Sequence, residues 1–259
     1  MRDSTSLKVV TLNLAHGRKD AWHQALLRRA TIQANLDEVV RILDRERPEV
    51  VALQEADGPS LWSGRFHHVA YLSEKTGIPY FVLGEHVRRR KLAYGTALVS
   101  RQHLQDATSH RFSPSPPTQL KGMVVGTIHW PGKQHVLIDV VSAHLDFSRK
   151  SVRQRQAREI IGRLADRQRP LVLMGDFNCG FCTKDRTLSL LARELNLRTH
   201  DPEATGMVSF PRRNKRFDWI MISTDLDFVE YRTLPDVLSD HRAVVATLKL
   251  ARRQAPAPI

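Results

Sequence analysis

Carboxylate, amide and imidazole side chains stand at the edges of short apolar runs along this whole sequence. Asn13 closes Leu7-Lys8-Val9-Val10-Thr11-Leu12, Glu55 follows Val50-Val51-Ala52-Leu53-Gln54, and His144 follows Val140-Val141-Ser142-Ala143. Asp176 and Asn178 come after Leu171-Val172-Leu173-Met174-Gly175, Asp218 opens Trp219-Ile220-Met221-Ile222, and Asp240-His241 precedes the last apolar run. Such side chains build acid–base and ligand-binding sites. Singly, each is an ordinary polar residue leaving a sheet. Their repetition at one kind of position points to a ligand site, because ligands of layered α/β folds gather at strand ends.

The elements that must position them alternate along the chain. Residues 7–13 read as a strand, and residues 25–47 carry apolar side chains at helical spacing (Leu26, Ala30, Ile32, Leu36, Val39, Val40, Leu43) up to Pro48, which ends the helix. A strand buried on both faces is expected over residues 49–54, then a helix over 66–75 and strands over 79–83 and 95–100. Three prolines make residues 113–118 a loop. Residues 123–130 and 135–142 form a hairpin around Pro131-Gly132, and residues 148–168 form a basic helix with Val152, Ala157, Ile160, Ile161 and Leu164 on one side. A strand over 171–174, a helix over 187–195 and strands over 217–222, 227–233 and 243–250 complete the domain. So many strands among long helices imply two sheets with helices outside, in one domain spanning residues 1–250. The Arg-, Ala- and Pro-rich residues 251–259 are expected to be a disordered tail.

Composition narrows the class. With 41% hydrophobic residues in 259, the chain can bury a core and is not intrinsically disordered. No apolar run approaches the roughly 18 residues of a membrane span. Lys8 interrupts any signal-peptide core, and two cysteines exclude a disulfide framework. The expectation is a cytoplasmic, soluble, monomeric protein. Forty Lys and Arg against 27 Asp and Glu give a net charge of +13, which indicates either a polyanionic partner or arginine accumulated without a ligand.

Six islands in fixed order carry a resemblance: Thr11-Leu12-Asn13, Leu53-Gln54-Glu55, Ser142-Ala143-His144-Leu145, Gly175-Asp176-Phe177-Asn178, Phe217-Asp218-Trp219-Ile220 and Ser239-Asp240-His241. With Tyr94-Gly95-Thr96-Ala97-Leu98-Val99-Ser100 and Ser209-Phe210-Pro211, they resemble the endonuclease/exonuclease/phosphatase superfamily over nearly the whole chain. That resemblance implies an α/β fold, a four-layer sandwich of two packed mixed β-sheets flanked by helices. It also implies hydrolysis of a phosphoester by in-line attack of an activated water. Asn13, Glu55 and Asp240 would bind a divalent metal, and their oxygen ligands suit Mg²⁺ or Mn²⁺. Asp176 would activate the water and Asn178 hold the phosphate. His144 and His241 would donate to its non-bridging oxygens, and Asp218 would serve the leaving-group end. Leu14-Ala15-His16-Gly17 lacks the acidic residue that follows this Asn in abasic-site endonucleases, and His144 stands where that branch has an asparagine-centred motif. Both departures point to the deoxyribonuclease, sphingomyelinase and phosphatase side.

Three basic runs flank these islands: Arg88-Arg89-Arg90-Lys91, Arg149-Lys150-Ser151-Val152-Arg153-Gln154-Arg155 and Arg212-Arg213-Asn214-Lys215-Arg216. Each is either a wall for a phosphate chain or a solvated face; Arg149, Arg153 and Tyr94 are the expected substrate contacts. Trp62, Phe66, Trp130 and Trp219 read as packing residues, and His16 as a solvated or structural histidine. Cys179 and Cys182 read as small residues filling a loop. The expected activity is nuclease action on DNA or RNA; the alternatives are a phospholipid or inositol phosphate substrate, or an inactive module that binds polyanions.

Overall fold

Side-chain parity along the strands divides the apolar residues into three cores. In the computed structural model, which describes residues 6–19, 21, 27–89, 91–181 and 183–251, twelve strands form two six-stranded mixed sheets. The strands are β1 (Ser6–Asn13), β2 (Val50–Asp57), β3 (Tyr80–Arg89), β4 (Leu92–Ser100), β5 (Gln105–Arg111), β6 (Gly122–Trp130), β7 (Lys133–His144), β8 (Leu171–Asp176), β9 (Leu197–Thr199), β10 (Asp218–Ser223), β11 (Leu226–Thr233) and β12 (Val244–Leu250). One sheet has the order β11-β12-β1-β2-β4-β3, the other β5-β6-β7-β8-β10-β9. The pairs β1–β2 and β7–β8 are parallel; the other pairings are antiparallel.

Leu7 and Val9 of β1, Val50 and Ala52 of β2, Val140 of β7, Val172 and Met174 of β8 and Ile220 and Ile222 of β10 fill the space between the sheets. The alternate residues point outward. Val10, Leu12, Val51 and Leu53 meet Ile32, Leu36, Val39 and Leu43 of helix α1 (Arg29–Glu46) and Val69 and Leu72 of α2 (His68–Thr76). On the other sheet, Val141, Leu171, Leu173, Trp219 and Met221 meet Ala157, Ile160 and Leu164 of α3 (Lys150–Leu164) and Leu188 and Leu191 of α4 (Thr187–Glu194). The result is the expected helix–sheet–sheet–helix sandwich.

The helix expected from residue 25 begins at Arg29, residues 22–26 lying outside the described residues, and it ends at the left-handed Arg47 ahead of Pro48. β5 and β9, which sequence periodicity does not disclose, are the two edges of the second sheet. β5 is largely solvated, with polar residues on both faces, and β9 has three residues. Polar composition and shortness are how edge strands avoid pairing with other chains. Residues 252–259 and Cys182 also lie outside the described residues.

Every chemically interesting island falls at one end of the sandwich. Asn13, Glu55, His144 and Asp176 are at the C-terminal ends of strands, whereas Asp218 and His241 lie at the start of β10 and just before β12, which run the opposite way. Asn13, His144, Asp176 and Asp218 also share the parity of the inter-sheet core. The inner face is therefore apolar through most of its length and polar at one rim. A transitional layer of buried hydroxyls and amide separates the two. Gln54 Nε2 donates to Thr11 Oγ1 (3.2 Å) and Ser142 Oγ (3.1 Å), and Ser142 Oγ donates to the Leu53 carbonyl (3.0 Å). These bonds tie the sheets together beneath the rim and leave its floor rigid.

Candidate active site

Asp176 is the centre of the rim. Its carboxylate is 1% exposed and accepts from Asn13 Nδ2 (3.0 Å) and the Asn178 backbone N–H (3.0 Å), while Nε2 of His144 and of His241 lie 3.4 and 3.7 Å away. Asn178 adopts a left-handed backbone (φ 53°), which turns the chain so that its N–H points back at Asp176 while its Nδ2 donates to the Leu145 carbonyl (3.0 Å). Gly175 makes the approach possible. A Cβ there would meet the Ala143 carbonyl oxygen at 1.9 Å, and the residue's φ of +147° suits only glycine.

Burial pushes the Asp176 carboxyl above its ordinary range, Asp218 adding to the rise and His241 opposing it. Burial pulls His241 downward, but Asp218 and Asp176 outweigh it and hold the imidazole protonated well above its usual value. His241 Nδ1 donates to Asp218 Oδ2 at 2.8 Å. His144 goes the other way: burial and then Lys121 hold it well below the ordinary value, so its ring is neutral. The Lys121 ammonium, 3.0 and 3.2 Å from the two ring nitrogens, has donors only. The neutral ring must therefore accept from it at one nitrogen and offer its proton at the other.

Glu55 sits on a β-bulge in β2 with φ 48°. The bulge breaks the alternation and swings the carboxylate into the cavity, where His16 Nε2 (3.4 Å) and Lys121 Nζ (3.5 Å) are its cationic neighbours. Burial would raise the Glu55 carboxyl, but His16, then Lys121 and His241, hold it far below the carboxylate range. His16 is itself fixed from behind. Ala15, His16 and Gly17 are consecutively left-handed (φ 45°, 59° and 70°), folding the imidazole back so that Nδ1 bonds Asp57 Oδ1 at 2.7 Å, with Tyr94 edge-on at 4.7 Å.

A cavity of about 280 Å³ opens over these groups. Asn13, Glu55, His144, Asp176, Asn178, Asp240 and His241 line it, as do Arg213 of the third basic run and three residues with no motif to announce them: Lys121, Arg18 and Phe147. Asp218 does not reach it. Fully buried, it bonds Nδ1 of His241, whose ring lines the cavity. Asp240 lines the cavity with one oxygen paired to Arg18 (2.5 Å).

None of the three expected substrate contacts lines this cavity, although Arg153 borders a second one beside it. Arg153, 9% exposed on the inner face of α3, grips Asp185 with Nε and Nη2 (2.7 and 2.6 Å) and gives Nη1 to the Asp146 carbonyl. A buried guanidinium must find such acceptors, and here they are internal. Arg149 caps α3 and spends Nη2 on the Ser115 and Pro116 carbonyls (2.5 and 2.9 Å). Tyr94 packs on His16 behind Glu55. Lys121 escaped the sequence reading because a register shift in the β6–β7 hairpin, between His129 and Trp130, hides that Gly122 pairs with His144.

Metal-ligating capacity is present on both sides of Asp176. Asp176, Asp218 and His241 each offer a ligand atom within 4.8 Å of the others, and Asp218 Oδ1 is buried without a hydrogen-bond partner. Glu55 faces the cavity with contacts longer than ordinary hydrogen bonds, leaving its oxygens available. The donor set suits a divalent cation.

The sequence matches the model of the Endonuclease/Exonuclease/phosphatase family over residues 10–241. No curated protein matches it. Among solved structures, it is similar to an endonuclease/exonuclease/phosphatase from Beutenbergia cavernae (20% identity, 95% of this chain and 72% of that one, TM-score 0.71). It is similar also to the human Nocturnin catalytic domain with bound sulfate (18%, 95% and 94%, 0.70) and to a Bacteroides thetaiotaomicron mannosyl-6-phosphatase (14%, 93% and 99%, 0.69). At these identities the structures establish the shared fold.

Proposed function

Because the chain belongs to the endonuclease/exonuclease/phosphatase family, whose members hydrolyse phosphoesters, we propose that it is a Mg²⁺- or Mn²⁺-dependent phosphodiesterase acting on nucleic acid. The observation that carries this reading is the arrangement around Asp176: one carboxyl of raised proton affinity, two imidazoles within 3.4 and 3.7 Å, and Lys121, Arg18 and Arg213 around the same cavity. Asp176 accepts a proton from the attacking water, its orientation fixed by Asn13 and Asn178. His241, backed by Asp218, and neutral His144 each direct an N–H at the non-bridging oxygens, and the Lys121 ammonium offsets charge building there. Glu55, Asn13 and Asp240, which line the same cavity, would hold the metal. When bound, the metal neutralises phosphate charge and orients the scissile group. The chain's cationic excess and the arginines at the rim favour a polyanionic substrate.

The test is a panel of single-stranded and duplex DNA, RNA, phospholipid vesicles, inositol phosphates and a sugar 6-phosphate, each with Mg²⁺, with Mn²⁺ and with chelator. Cleavage of nucleic acid that chelator abolishes and Mg²⁺ restores is the expected result. A second reading, a phosphomonoesterase, is favoured by the small volume of the cavity and by the likeness to the mannosyl-6-phosphatase. Turnover of the sugar phosphate with intact nucleic acid would establish it in place of the first.

A further inference from the structure

The catalytic cavity has a neighbour. A second cavity of about 660 Å³ shares Asn178 and Phe217 with it, and continues past them to Phe181, Trp219, Lys215 and Arg216. The partition between the two is the basic loop whose middle is the 3-10 turn Pro211–Arg213. This loop is a closed, braced unit. Phe210 and Lys215 exchange backbone hydrogen bonds (2.8 and 3.2 Å), Phe210 stacks on Phe217 (5.6 Å between centroids, 27° between planes), and Phe210 also leans on His241 (4.8 Å). One face of the loop gives Arg213 to the catalytic cavity; the other gives Lys215 and Arg216 to the second.

The second cavity combines aromatic surface with the cations Lys215 and Arg216; Arg153 on its wall is paired to Asp185, and Glu203 is its other carboxylate. The Arg216 guanidinium lies over Trp219 (3.8 Å to the ring centroid) and Tyr231 (4.9 Å), its Nη atoms bonded to the His200 and Asp201 carbonyls while its Nε is buried without a partner. Phe181 leans on Trp219 at 5.9 Å, and both Phe181 and Phe217 remain partly exposed. Lys215 is exposed at the cavity's edge. Partly exposed phenylalanines and an exposed ammonium on one cavity wall match one nucleotide of a chain: a base to stack and a phosphate to pair.

Resting on the phosphodiesterase reading, we propose that this cavity is the subsite for the nucleotide adjoining the scissile phosphate. Its base lies against Phe181 and Phe217, and its outer phosphate meets Lys215. The preferred substrate is then a single strand, because a base in a duplex must first be unpaired and unstacked, at a cost in free energy, to enter the cavity.

Binding without turnover tests this on the whole protein. Anisotropy with a fluorescent oligonucleotide is measured in chelator, across a salt series, for wild type, Lys215→Gln and Phe181→Leu. Bis(p-nitrophenyl) phosphate hydrolysis with Mg²⁺ is measured alongside for wild type. The expected result is tighter binding of single strand than of duplex. Lys215→Gln should lower the slope of log K against log salt by about 0.7, one phosphate pairing on a single strand. Phe181→Leu, which keeps the apolar volume, should weaken single-strand binding roughly tenfold. Equal single-strand affinity and salt slope in all three proteins overturns the subsite while leaving the nuclease reading intact. Binding to vesicles but not to oligonucleotides, with the small diester still hydrolysed, overturns both. An inert wild type that binds nothing overturns the phosphodiesterase reading itself.

Discussion

At Asp218 and His241 two buried groups define each other. The 2.8 Å bond from Nδ1 leaves Nε2 facing the cavity, and the carboxylate keeps the ring charged. Asp218→Asn preserves the volume but removes both the charge and the fixed tautomer, so hydrolysis should fall by about 10–100-fold, with circular dichroism showing the fold retained. Asp176→Asn should be more damaging, within the 10²–10⁴-fold range typical of a lost acid–base group, and circular dichroism should again show the fold retained. Lys121→Met tests the cation that no motif announced. It removes the charge between Glu55 and His144 while keeping a long side chain. The kcat/KM for phosphodiesters should fall about tenfold or more, with kcat falling as well as KM rising, because the ammonium faces the phosphate when bound and as charge builds on it.

Among the elements, the β7–β8 pairing is the one the site tolerates least. Ala143 pairs with Gly175 beneath His144 and Asp176, so Gly175→Ala forces a Cβ against the Ala143 carbonyl. Backbone strain of this kind costs about 1–3 kcal/mol, and the splayed strands should separate His144 from Asp176. Lower stability and lost hydrolysis together are expected; an unchanged melting curve would contradict the strain argument. The far end of the first sheet supplies a pH test remote from catalysis. Glu46, at the C-terminus of α1, is buried and bonded by Lys8, Arg45 and Arg232. Burial raises its carboxyl, but Arg232 and Arg45 outweigh that and lower it from 4.5. A depressed carboxyl stabilises the fold above its unfolded value and loses that contribution as pH falls through the folded one. Glu46→Gln should therefore be less stable than wild type at pH 7, with the gap narrowing below about pH 4.5. Urea titrations at both pH values measure it.

Over the whole molecule, the inter-sheet core draws from both sheets, and the Gln54–Ser142 bond joins their polar rims. Neither sheet can unfold without exposing the other's inner face. Unfolding should thus be one cooperative transition, with tryptophan fluorescence and far-UV circular dichroism coincident. Trp130 reports on the inter-sheet core and Trp219 on the outer one. Separated transitions would show the sheets to be independent units.

The periodicities in the sequence determined the layers and brought most of the site with them. Strand-end positions and the parity of Asn13, His144, Asp176 and Asp218 follow from counting residues outward from apolar cores, because a strand alternates faces with a period of two. What broke that count was legible only in three dimensions. Bulges shifted Glu55 into the cavity and Lys121 beside His144, and three left-handed residues turned His16 back onto Glu55. Among the arginines, sequence proximity to His144 was a poor guide. α3 buries Arg153 against Asp185, whereas Arg18 and Arg213, distant in sequence, converge on the cavity. Where a long cationic side chain ends depends on which acceptors the fold brings within reach, and this pairing is a property of the tertiary structure alone.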